Sequence, residues 1–354
     1  VAQFLIKRLI SAIFLVIFIT FITFGIMKLN FTIPAINFIL KIPLTQISIV
    51  QIKSAETQIQ TGDPLADLKL NPAISEARIK AEAKRLGLDK TFSQQYLTWF
   101  GNILKGDFGY SQANQRVVDL IKPALFNTLI LNLCAIFFTW LIAIPLGVMA
   151  AVNRNSWIDS SLRIMTSTFM SVPGFVLAIF MLLFALNTGW FPIGGLTSSY
   201  YSELNFFGKA IDLVRHLFIP VFILTVGGLV GLQRQMRANL LDVLREDYIR
   251  TARAKGLPEN VVFYKHALRN AINPLITMLG YEFSAIFAGS ALIEMVLAYP
   301  GLGYLTLEAA RKLDVNVVLA NLLLGSLMLV LGNMLADLLL LKVDPRLKAT
   351  QLEA

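Results

Sequence analysis

Between Leu240 and Pro274 the chain reads LLDVLREDYIRTARAKGLPENVVFYKHALRNAINP, a basic stretch flanked on both sides by apolar sequence. Its centre, from Tyr248 through Arg250, Thr251, Ala252, Arg253, Ala254 and Lys255 to Gly256, holds no acid–base pair, nucleophile or metal-ligand spacing. What it can do is dock. Arg250 to Lys255 forms a short helix, and Gly256 stops it, since glycine readily takes the left-handed conformation that ends helices. Leu257-Pro258-Glu259 restarts a helix, with proline at the first position and an acid in the first turn. Two short helices hinged at a glycine make a compact knob. Ala252 and Ala254 leave a smooth surface for another protein, Tyr248 can fill a groove on it, and Arg250, Arg253 and Lys255 offer charged rim contacts. Basic residues also collect on the cytoplasmic side of membranes, which accounts equally well for each arginine taken singly. It does not account for alanine and glycine placed between two breaks in helicity.

Other residues that could do chemistry lie inside apolar segments, where ionisable groups are expensive and mark pathways by default. Glu282 and Glu294 are the candidates for lining such a pathway. Their alternative is hydrogen bonding across helices, and Asn333 and Asp337, one turn apart, read as structural. Gln233 and Arg234 fall at the end of an apolar run, where an interfacial position suffices. His216 reads as an interfacial residue and His266 as a helix-surface one. With a single cysteine, Cys134, there is neither a disulfide framework nor a metal-ligand set. The one Gly-Lys pair, Gly208-Lys209, lacks the rest of a phosphate loop, so ATP chemistry is not expected in this chain.

The elements that position these residues are membrane helices. Hydrophobic residues make up 56% of the 354 and charged ones only 15%, against about 25% in a soluble domain; mean hydropathy is +0.66. The net charge of +9 sits at the ends of apolar runs, a topological pattern rather than a polyanion-binding face. A span needs roughly 20 apolar residues, and stretches near 9–29, 127–152, 165–188, 217–236, 275–298 and 316–341 qualify. The first follows Lys7 and Arg8 and has no small-residue cleavage site, so it reads as an uncleaved helix. The basic residues predict both termini and the 238–274 loop inside. The expected fold is all-α: a first helix over 1–29, an extracytoplasmic insertion over 30–126, a five-helix core over 127–341 and a tail over 342–354. Within the insertion, Ser75 caps one helix, and Thr91 with Gln94 boxes a second whose Tyr96, Trp99, Phe100 and Ile103 form an apolar face. Gly106-Asp107-Phe108-Gly109 breaks it.

The loop around Thr251-Ala252-Arg253-Ala254-Lys255-Gly256 resembles the EAA loop of ABC importer permeases, in the form of the dipeptide, oligopeptide and nickel family. Counting back from Gly256, Arg250-Thr251-Ala252 stands where the general pattern has Glu-Ala-Ala, so the glutamate is absent. The resemblance extends through Gly62-Asp63-Pro64, Leu86-Gly87-Leu88-Asp89, Gly106-Asp107-Phe108-Gly109, Ile144-Pro145-Leu146-Gly147, Ser171-Val172-Pro173, Tyr299-Pro300-Gly301-Leu302-Gly303 and Asp344-Pro345-Arg346. It implies a six-helix, type I importer-like permease in the bacterial inner membrane that forms half of a pathway for peptides or peptide-like solutes. It also implies a homologous second permease, two ATPase subunits that carry ATP and Mg, and an extracytoplasmic solute-binding protein. The permease itself would hold no cofactor and catalyse nothing. Nickel or glutathione import is the alternative within the family. From another class, an ion-gradient-driven transporter would need paired acids and inverted repeats, which this chain does not display.

Overall fold

The computed structural model describes residues 2–28, 75–85, 91–312 and 314–343. The Phe31–Pro72 stretch and the motifs at Gly62, Leu86 and Asp344 lie outside the described residues. The protein is all-α. Its helices are α1 (Ala2–Lys28), α2 (Glu76–Arg85), α3 (Phe92–Leu104), α4 (Val117–Val152), α5 (Trp157–Ser171), α6 (Gly174–Thr188), α7 (Phe206–Val243), α8 (Asp247–Ala254), α9 (Glu259–Val261), α10 (Arg269–Val296), α11 (Leu302–Arg311) and α12 (Val315–Val343). A π-helical segment, Val262–Leu268, joins α9 to α10.

The expected spans coincide with α1, α4, the α5–α6 pair, α7, α10 and α12. Among the described residues α4, α7 and α12 are each long and apolar enough to cross a bilayer. The third expected span, 165–188, is not one helix. α5 and α6 meet at a 92° bend, because Pro173 cannot donate to the helix ladder and pushes Val172 into an extended conformation (φ −97°, ψ 115°). The turn expected at Tyr299-Pro300-Gly301 is followed by α11, a helix too short and too mixed to announce itself as apolar sequence.

Contacts divide the chain into two compact units. The larger comprises Val1–Ile13, Ile121–Leu307 and Leu324–Ala354. Here α7 is central and packs on α5, α6 and α10. Ala178 and Ala185 of α6 sit against Ile219 and Ile223 of α7 and Ile293 of α10, small residues that let apolar helices approach closely where no hydrophobic effect drives them together. At the base of α5, Ser156 caps the helix, and the buried Asp159 takes Arg237 of α7 in a two-pronged ion pair at 2.8 and 2.7 Å.

The smaller unit, Phe14–Leu120 with Glu308–Leu323, is built on aromatic residues. Phe24, Tyr96 and Leu319 form its buried core, with Trp99, Phe100 and Val315 against them. This is the apolar face expected for α3. The Tyr96 hydroxyl lies 3.0 Å from Thr20 Oγ1, and Gln94 Oε1 accepts from the Thr91 N–H at 3.3 Å. The Gly106–Gly109 break is a turn in which the Gly109 N–H donates to Asp107.

Candidate functional site

α8 is amphipathic, and its two faces do different things. Ile249 and Ala252, three residues apart, are 0% and 7% exposed, whereas Tyr248, Arg250, Thr251, Arg253, Ala254 and Lys255 are exposed. The buried pair joins Ala143 and Ala151 of α4, Leu232, Met236 and Leu240 of α7, and Val262, Ala267, Ala271 and Leu275 of the helix that follows. Burying Ile249 alone stabilises this seat by about 1.5–3 kcal/mol. The knob is therefore keyed to the buried ends of α4, α7 and α10.

The end of α8 is a Schellman turn. The Gly256 N–H donates to the Arg253 carbonyl at 2.9 Å and the Leu257 N–H reaches back to Ala252 at 3.4 Å, around a left-handed Gly256 with φ +74°. An added Cβ at Gly256 would meet nothing within 4 Å, so the demand for glycine is conformational rather than steric. Arg253 spans the turn to Glu259 with two bonds, 2.9 and 3.3 Å, and Arg250 pairs with Asp247 at 3.3 Å. Tyr248 is 42% exposed, and its hydroxyl accepts from Asn270 at 2.8 Å, which ties the ring to α10.

All eight residues expected in the coupling loop, Tyr248 and Arg250 to Gly256, thus fall on α8 and its terminal turn, with two differences from the expected roles. Ala252 faces inward, because Ile249 already fixes that side of the helix as buried, and its small size serves the seat rather than a partner. Arg253 is engaged within the knob. The exposed crown is instead Thr251, Ala254, Lys255, Leu257, Pro258 and Asn260. Leu257, 38% exposed at the tip, was not anticipated, since a leucine after a helix-stopping glycine ordinarily folds back onto its helix.

The two glutamates of α10 stand differently. The Glu282 side chain lies outside the described residues. Glu294 is fully buried. It accepts from Thr128 Oγ1 of α4 at 2.8 Å, from Ser290 Oγ at 3.1 Å and from the Gly303 N–H of α11 at 2.7 Å. Thr128 in turn takes the Leu302 N–H at 2.8 Å. The pair caps the first turn of α11, as an acid at a helix N-terminus should. A Cβ at Gly303 would lie 2.4 Å from Ala291 Cα, so the glycine of Tyr299-Pro300-Gly301-Leu302-Gly303 is what permits α11 to close on α10. In this state Glu294 presents no surface to solvent. His216, expected at the interface, is buried, its Nδ1 lying 2.8 Å from the Asp212 carbonyl.

Comparison with known proteins decides the family. A family described as the binding-protein-dependent transport system inner membrane component matches residues 143–349, more than half of the chain and inclusive of the knob and of Glu294 and Gly303. The chain belongs to this family. It is similar to the oligopeptide transport system permease protein AppB of Bacillus subtilis, 38% identical over 308 residues covering 86% of this chain and 94% of that one. It is also similar to the dipeptide transport system permease protein DppB of Escherichia coli, 34% identical over 327 residues with 86% and 95% covered. The glutathione transport system permease protein GsiC of Shigella flexneri is 34% identical over 291 residues, with 81% and 89% covered. In fold, the chain matches an inward-facing structure of the MetNI methionine ABC transporter with a TM-score of 0.52 at 20% identity, over 64% of this chain and 96% of that one. This family member is a multi-pass membrane protein of the ABC permease fold.

Proposed function

We propose that this permease is one half of the membrane pathway of an ATP-driven importer of short peptides. A second permease, two ATPase subunits carrying ATP and Mg, and an extracytoplasmic binding protein complete the assembly. The observation that carries this reading is the knob of Asp247–Gly256, exposed at its crown yet seated through Ile249 and Ala252 on the buried feet of α4, α7 and α10. Closure of the ATPase pair presses the knob, and the shared core transmits the movement to the helices that surround the pathway. The basic residues of the 238–274 loop, with Arg154, Lys7 and Arg8, support a cytoplasmic position for that face and both termini. Peptides are the cargo named for the relatives above, and glutathione, itself a tripeptide, falls in the same chemical class.

Glu294 acts within this scheme as a positioning residue that pins α11 to α4 and α10. The test is uptake by the assembled complex in proteoliposomes with the binding protein supplied outside. Peptide accumulation should require hydrolysable ATP in the lumen and survive collapse of ion gradients. Uptake that follows an imposed proton or sodium gradient without ATP would replace the importer with a secondary transporter.

A further inference from the structure

α1 carries its own depth marker, and α3 is fastened to it. From Leu9 to Met27 α1 has no charged residue, and Lys7 with Arg8 bounds this run at one end and Lys28 at the other. At 1.5 Å per residue the run is about 28 Å long, the thickness of a hydrocarbon core, so its middle, near Phe18, sits at the bilayer midplane whichever end is inside. α3 packs on the half toward Lys28. The Tyr96 hydroxyl donates to the Ile17 carbonyl at 3.3 Å and lies 3.0 Å from Thr20 Oγ1. Phe21 meets the rings of Phe92 and Tyr96, and Phe24 meets both of these and Trp99, with centroids 5.2–5.6 Å apart. Phe21 and Phe24 stand about 4 and 9 Å past the midplane, and the hydrocarbon boundary is about 15 Å from it. α3 is thereby held about 6–10 Å beneath that boundary, the depth of helices that lie within one leaflet.

The composition of α3 suits that depth. No charged residue stands between Lys90 and Lys105, whereas a soluble domain carries about one in four. Lipid requires polar backbone groups to be satisfied internally, and here they are. The Thr91 N–H donates to Gln94 Oε1 at 3.3 Å and Thr98 Oγ1 to the Gln94 carbonyl at 2.7 Å. At the other end the Lys105 and Gly106 N–H groups donate to the Asn102 and Ile103 carbonyls at 3.0 and 2.8 Å. Either side of the docked face, helical spacing separates two exposed flanks. Leu97 and Leu104 make an apolar one, and Gln94, Thr98 and Asn102 a polar one. Another membrane helix against the apolar flank would call for small residues four apart, and there Leu97 stands between Ser93 and Gly101. Acyl chains accept such a flank as it is.

We propose that α3 lies within the leaflet at the Lys28 end of α1, with Leu97 and Leu104 among the acyl chains and Gln94, Thr98 and Asn102 toward the headgroups. The partner of this surface is phospholipid hydrocarbon, and α3 is a membrane-embedded part of the insertion rather than a cap in water. With the N-terminus inside, the leaflet is the extracytoplasmic one. Neither the cargo nor ATP coupling bears on this placement.

The test is depth, measured on the complete transporter in phosphatidylcholine–phosphatidylglycerol proteoliposomes without and with the binding protein. Nitroxide labels go on Leu97→Cys, Leu104→Cys and Asn102→Cys in a Cys134→Ser background, and each is challenged with oxygen, which concentrates in hydrocarbon, and with a nickel chelate, which stays in water. The oxygen-to-nickel collision ratio at 97 and 104 should exceed that at 102 by about threefold or more, with or without the binding protein, as the two sides of an interfacial helix require. Equal ratios overturn the proposal and put α3 in water. Labels at 97 and 104 shielded from both reagents overturn it too, in favour of a covering subunit, as does shielding that appears only when the binding protein is added. If the labelled variants do not assemble, the unsubstituted transporter decides. A phosphatidylcholine with a photoactivatable diazirine in its acyl chain should leave adducts between Phe92 and Leu104 as well as on α1. Adducts on α1 with none on α3 reject the proposal.

Discussion

The ion pair between Asp159 and Arg237 is the joint through which the base of α5 follows α7, and its worth can be worked out. The Asp159 side chain is 0% exposed and that of Arg237 21%, so neither charge is well solvated. At an effective dielectric of about 20, opposite unit charges about 4 Å apart attract by about 4 kcal/mol. Desolvation offsets much of that, and removing one partner from such a pair costs about 3–5 kcal/mol because a buried charge is left behind. Here the Asn155 N–H, 3.0 Å from Asp159, and Arg163 would still serve the carboxylate, which puts Arg237→Met at the low end, about 3 kcal/mol. Asp159→Leu should cost a similar amount by leaving Arg237 unpaired. The double variant should lose only about 1 kcal/mol, since apolar residues of similar volume replace a buried pair at little net cost. Equilibrium unfolding in mixed micelles, followed by emission of Trp157 two residues before Asp159, gives the double-mutant cycle. A coupling of about 5 kcal/mol is expected. Additive losses, or single variants within about 0.5 kcal/mol of the parent, would refute the reasoning that this pair is buried and mutually dependent.

Three further outcomes follow from the same geometry. Gly256→Val should leave the subunit inserted and abundant, strain the left-handed turn by about 1–2 kcal/mol, and lower the yield of co-purified ATPase; unchanged ATPase yield and uptake would show that the turn is not part of the coupling surface. Glu294→Gln should destabilise by about 1–2 kcal/mol, because its amide keeps an acceptor for only one of the Gly303 N–H and the Thr128 hydroxyl, and Glu294→Ala by more, because both lose it; amide exchange at the start of α11 should rise with them, and unaltered exchange would contradict the capping role. Gln233 is buried and neither of its amide atoms has a partner among the described residues, so Gln233→Met should raise the unfolding midpoint, and a lower midpoint would mean that the amide is satisfied in the native membrane state.

Helices and their order could be read from the sequence because lipid leaves few solutions: long apolar runs and asymmetric basic loops fix which segments are α4, α7, α10 and α12. The break at Val172 was visible only as a Ser-Val-Pro motif, since hydropathy averages across a bend. In the knob, helix, stop and restart were all written in Gly256 and Pro258. Which alanine faces outward was not, because the phase of α8 is set by where Ile249 lands on Met236 and Leu240, a tertiary fact. Ala252 turned inward for that reason. Asp159 with Arg237 and Glu294 with Gly303 escaped sequence reading as pairs because their partners lie on other helices. A short acidic residue at a helix start and a glutamate in an apolar run are the only local traces.

The most direct test of the central claim is a proximity measurement at the crown of the knob. Ala254 is exposed and makes no side-chain hydrogen bond, so Ala254→Cys in a Cys134→Ser background should fold and transport normally. In the assembled complex, a short bifunctional thiol reagent should join position 254 to the ATPase subunit, and cross-linking should block peptide uptake in proportion to its yield. Cross-links that form only to lipid-facing or membrane subunits, or full uptake after quantitative cross-linking to the ATPase, would contradict the claim that Asp247–Gly256 is where ATP hydrolysis is mechanically received.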